Sequence, residues 1–105
     1  MNDFIFVYIT SPGAEEAKKI AKCLLEEKLI ACANIYPGVT SLYWWEGKIA
    51  EEGECVLIAK TTEGSFEKVK DEIEKIHPYK TPCIVKIPVS SNEKYFDWVK
   101  SQLIS

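Results

Sequence analysis

Residues 31–62, ACANIYPGVTSLYWWEGKIAEEGECVLIAKTT, form two long strand-like runs joined by one tight-turn signal, Glu46-Gly47. No other stretch limits the fold so strongly. Its first run, residues 30–45, extends to about 50 Å at roughly 3.3 Å per residue. Pro37-Gly38 interrupts it. Proline removes a ladder donor and glycine permits a bulge, so this strand is expected to bend and to lie at a sheet edge. The two long helices that the chain predicts elsewhere, at about 15 residues each, cover only about 22 Å. The hairpin must therefore extend past its own globule. Its tip carries Leu42, Tyr43, Trp44, Trp45 and Ile49. Neighbouring strand residues point to opposite faces, so Trp44 and Trp45 cannot share one. A bare apolar edge invites aggregation. The expectation is that sister chains cover this arm; the alternative is a twisted ribbon that coils back over its own core.

The remaining elements follow from periodicity. Residues 4–10, rich in Phe, Ile, Val and Tyr, predict a central strand. A helix follows over 11–28, with Ser11 as cap, Pro12 in its first turn and an apolar stripe of Ala14, Ala17, Ile20, Ala21, Leu24 and Leu25. After the hairpin, Phe66, Val69, Ile73 and Ile76 recur at helical spacing behind a cap at Thr62 or Ser65, and His77-Pro78 stops that helix. Residues 83–89 predict a fourth strand. Ser91 or Asn92 caps a last helix bearing Tyr95, Trp98, Val99 and Leu103. The order β-α-β-β-α-β plus a C-terminal helix predicts an α+β, ferredoxin-like sandwich with an extended β2-β3 hairpin, in one domain over 1–105, with helices on one face of the sheet.

Bulk properties narrow the function. A net charge of −3 with scattered lysines argues against a nucleic-acid face. No apolar run reaches the roughly 20 residues of a membrane helix. The N-terminus reads as a strand and not as a signal peptide, so the expected location is cytoplasmic. Four cysteines, Cys23, Cys32, Cys55 and Cys83, lack zinc-finger spacing and read first as packed thiols.

The segment KIHPYKTPC, residues 75–83, holds the only histidine. His77 is a good ligand for copper or zinc, and Cys83 is a soft donor close by in sequence. One imidazole per chain falls short of a three- or four-ligand site unless subunits pool their donors. The alternative is that His77 caps the helix end, where the dipole favours positive charge. Lys48 and Lys60, with Tyr43, Trp45 and Tyr79, suit an anionic small-molecule cleft between subunits; the same aromatics equally suit the interior of an interface. Glu46, Glu51, Glu52 and Glu54 read as a solvated acidic arm. No residue orients a Cys–His77 pair for nucleophilic catalysis, and an enzyme is not expected.

The blocks ACANIYPGVTSLYWWEGKI, KTT and HPYKTP resemble the CutA1 divalent-ion tolerance proteins across nearly the whole chain. The resemblance implies a cytoplasmic homotrimer built through the hairpin arms. Its implied role is tolerance of divalent metals, copper first, with no metal needed for folding. Its ligand positions map onto His77 and Cys32, with Cys83 standing where many relatives carry glutamate. Ile9 and Ile76 stand where copper-binding relatives carry a cysteine and a second histidine. The metal candidates are therefore His77, Cys32 and Cys83. Two alternatives stay open: a small-ligand signalling module similar to the trimeric PII proteins, and a stable scaffold for a partner protein, as roles of animal relatives imply.

Overall fold

Strand β1 (Phe4–Ser11) is apolar on both faces and is therefore covered on both sides. The computed structural model, which describes residues 3–104, continues with helix α1 (Ala14–Glu26), strand β2 (Cys32–Trp45) and strand β3 (Lys48–Thr62). A 3-10 turn (Glu63–Ser65), helix α2 (Phe66–Ile76), strand β4 (Ile84–Pro88) and helix α3 (Glu93–Gln102) complete it. The strands form one antiparallel sheet in the order β2-β3-β1-β4. Two crossovers through α1 and α2 interleave around the β2-β3 hairpin, which is the ferredoxin-like arrangement.

The alternation of β1 divides the core. Ile5, Val7 and Ile9 face α1 and α2 and pack with Leu57, Ala59, Ala17, Ile20, Leu24, Val69 and Ile73. Phe4 and Phe6 face the other way and meet α3 through Tyr95, Phe96 and Val99. Phe4 stacks on Phe96 with ring centroids 4.9 Å apart. The expectation of helices on one face is corrected here. The even-numbered phenylalanines of β1 need a cover, and the apolar side of α3 supplies it.

Helix α1 begins later than its capping signals suggest. Ser11 remains in β1 and its hydroxyl donates to the Gly13 carbonyl at 3.0 Å, while Gly13 itself takes the cap position. The caps of α2 and α3, Ser65 and Asn92, make no side-chain cap bond. His77 ends α2 as expected, with extended backbone ahead of Pro78.

The β2-β3 ladder slips between Tyr36 and Val39, where Gly38 adopts a left-handed φ of 76°. Beyond that bulge the arm pairs from Val39↔Glu54 out to Trp45↔Lys48. The turn residues Glu46 and Gly47 have φ of 50° and 79°, the left-handed pair that a type I′ hairpin requires. Leu42, Trp44 and Ile49 share one face and are 65, 73 and 67 % exposed. Tyr43 and Trp45 lie on the opposite face. The ribbon projects and does not coil back, and the chain measures 45 × 24 × 22 Å. Among the described residues, no helix is long and apolar enough to cross a membrane.

Candidate functional site

His77 sits where α2 ends, against the last residues of β1, and is 8 % exposed. Its ring spans two backbone groups. Nε2 lies 2.7 Å from the Thr10 carbonyl, and Nδ1 lies 3.0 Å from the Tyr79 amide nitrogen. A carbonyl only accepts and an amide only donates, so the proton is on Nε2 and Nδ1 is the acceptor. Every polar atom of the ring is used within the chain. The ring does not turn back to the carbonyls of α2, as a helix-capping imidazolium would.

Cys83, half-buried just before β4, comes to the same place. Burial pushes its thiol up, a hydrogen bond with Thr10 opposes that, and Glu54 adds to the rise; the net shift is upward. Tyr79 stacks obliquely on His77 with centroids 4.9 Å apart and donates its hydroxyl to Glu54 Oε2 at 2.6 Å. Burial, then that bond, holds the Tyr79 hydroxyl far above the ordinary phenol range, so it stays a donor.

Cys32 is elsewhere. It opens β2 opposite Lys60, which pairs in turn with Phe6 of β1. Two strand spacings and four residues of rise put Thr10 about 17 Å from that corner, and a third spacing puts Cys83 about 20 Å away. One chain thus brings His77 and Cys83 together and leaves Cys32 apart. The cleft candidates are also dispersed. Lys60 lies over the rings of Phe6 and Tyr95 at 5.6 and 5.4 Å, with Nζ 3.4 Å from the Tyr95 hydroxyl. Lys48 and Trp45 pair at the arm tip, about 40 Å along β3 from Lys60. Tyr43 donates to Glu52 midway along the arm.

A third cluster was not marked in the sequence. Cys23, in the last turn of α1, and Glu27, at its C-cap, are one turn apart, and Glu72 reaches them from α2. The Cys23 Sγ lies 4.0 Å from Glu27 Oε2 and 4.0 Å from Glu72 Oε2, and all three donor atoms fall within 4.8 Å. Burial first, then Glu27, Glu72 and Glu26, pushes the Cys23 thiol up. Bonds of about 2.0–2.3 Å place the donors of a tetrahedral zinc ion about 3.5 Å apart. A contraction of roughly an ångström therefore closes the set. A cation neutralises the crowded acids and releases the thiol proton. The i,i+4 spacing of Cys23 and Glu27 is legible in the sequence; the contribution of Glu72, 49 residues away, is not.

A doubly crossed four-stranded sheet with a projecting, aromatic-tipped ribbon defines a small ferredoxin-like protein whose arm lies outside its own core. The model of the CutA1 divalent ion tolerance protein matches residues 5–102. The Divalent-cation tolerance protein CutA of Archaeoglobus fulgidus is 50% identical over 95 residues, covering 90% of this chain and 92% of that one. The protein of the same name from Thermus thermophilus is 46% identical over equal shares. The solved periplasmic divalent cation tolerance protein CutA of Archaeoglobus fulgidus superposes with a TM-score of 0.92 at 46% identity, over 94% of this chain and 97% of that one. The chain belongs to the CutA1 divalent ion tolerance family.

Proposed function

We propose that the chain acts in divalent-cation tolerance by binding the ion directly at Cys23, Glu27 and Glu72, as a homotrimer joined through its β2-β3 arms. The observation that carries the metal reading is the thiol and two carboxylates from two helices within 4.8 Å. One sulfur and two oxygens suit a borderline ion such as zinc or copper better than a hard one such as magnesium. The trimer is supported by the exposed apolar faces of the arm. No catalytic step is involved. The cytoplasm is the proposed compartment, supported by four free thiols; cell fractionation tests it.

His77, Cys83 and Cys32 make the competing site. It needs a neighbouring chain to bring Cys32 within reach, and it needs His77 to give up the Tyr79 amide.

Calorimetric titration of reduced protein with zinc and with copper separates the two. Cys23→Ala with Glu72→Gln is expected to weaken binding by more than about tenfold, since only one of the three donors then remains unaltered. Unchanged affinity in that variant, with loss in Cys83→Ser, overturns the assignment. The pH dependence gives a second check. Binding needs the thiolate, and the Cys23 thiol is raised. Affinity therefore climbs with pH through neutrality, by about tenfold per unit for one proton released, and levels off only above the ordinary thiol range.

A further inference from the structure

We propose that Tyr79 and Glu54 form a latch that fixes the angle at which the arm leaves the globule, with the bulge at Gly38 as its hinge and His77 as its anchoring post. The support of the sheet ends at this level. Strand β1 stops at the pair Ser11↔Cys55, so from Glu54 outward β3 has β2 alone beside it. The β2-β3 ladder is also irregular here: Tyr36↔Val56 is followed by Val39↔Glu54, leaving Pro37 and Gly38 looped out. Gly38, at the break, has a left-handed φ of 76° and open space where a Cβ would stand. A two-stranded ribbon is pliable, and a bulge concentrates its bending.

Within the single chain, among the described residues, one side-chain bond ties the globule to the root of that ribbon. Tyr79, in the connection between α2 and β4, donates to Glu54 Oε2 at 2.6 Å, and Glu54 is the first arm residue of β3. The acceptor is a carboxylate oxygen, and the bond is short and partly shielded from water, which puts it among the stronger hydrogen bonds. Tyr79 is itself held. Its amide donates to His77 Nδ1, while the other ring nitrogen of His77 grips the Thr10 carbonyl at the end of β1. The path from β1 to the arm root thus runs through His77 and Tyr79 in three bonds. The latch concerns the arm and is independent of the metal assignment.

Hydrogen exchange on the whole assembled protein tests it. Tyr79→Phe keeps the ring and removes only the hydroxyl. It is expected to speed exchange of amides in residues 39–54 by about tenfold or more, with the amides of β1 unchanged. The double variant Tyr79→Phe/Glu54→Gln is expected to exchange no faster than Tyr79→Phe alone, because both changes remove one bond. Wild-type exchange in the arm of Tyr79→Phe overturns the latch. So does an equal speeding of β1 and arm, which marks general destabilisation, or additive effects in the double variant.

Discussion

Trp44→Glu is expected to convert the proposed trimer into folded single chains at micromolar concentration. Trp44 is 73 % exposed on its own chain, so its removal takes nothing from either core cluster. A surface change of that kind alters subunit stability by about 0.5 kcal/mol at most. In the proposed trimer the same ring is buried on a neighbour, flanked by Leu42 and Ile49 on the same arm face. Losing a buried aromatic anchor costs about 2 kcal/mol or more, and a glutamate left unpaired in that place adds to it. Cyclic symmetry repeats the cost in each of three interfaces, which totals about 6 kcal/mol and four decades in association. Sedimentation velocity reads the outcome, with far-ultraviolet circular dichroism as the control for folding. A wild-type chain that sediments alone at micromolar concentration, or a Trp44→Glu protein that stays trimeric, ends the arm-exchange picture.

The arm was legible because its physics is local. Pro37-Gly38 announces the bulge, Glu46-Gly47 announces the turn, and strand alternation separates Trp44 from Trp45. The same holds for β1, and for the stripes of α1 and α2, whose Ala17, Ile20, Leu24, Val69 and Ile73 are buried as spacing predicts. Features that depend on tertiary placement were less legible. Ser11 reads as a helix cap, yet pairing with Cys55 keeps it in β1. The second face of the sheet is claimed by α3, because Phe4 and Phe6 need partners that only the folded chain identifies. The candidate site divides along the same line. That His77 and Cys83 both reach Thr10 follows from the short, stiff connection of seven residues, 77–83, between α2 and β4. The meeting of Cys23 with Glu72 depends on how α1 packs beside α2, and no local pattern encodes it.

His77→Ala is expected to lower stability by about 3–5 kcal/mol in protein stripped of metal by a chelator. The substitution removes one ring and orphans two backbone groups, the Thr10 carbonyl and the Tyr79 amide. Each buried group left without a partner costs about 1–3 kcal/mol, and the cavity left by the ring adds to that. Against a typical total of about 5–15 kcal/mol this is a large fraction. Denaturant unfolding with and without zinc separates the two roles open to this histidine. A structural post predicts the full loss in chelator, together with undiminished zinc affinity in whatever protein remains folded. A metal ligand predicts the reverse: a midpoint equal to wild type in chelator, and a stabilisation by zinc that disappears. The first result is expected, because a ring whose donor and acceptor are both committed to the backbone can take a metal only by breaking the Tyr79 bond, and with it the path that holds the arm.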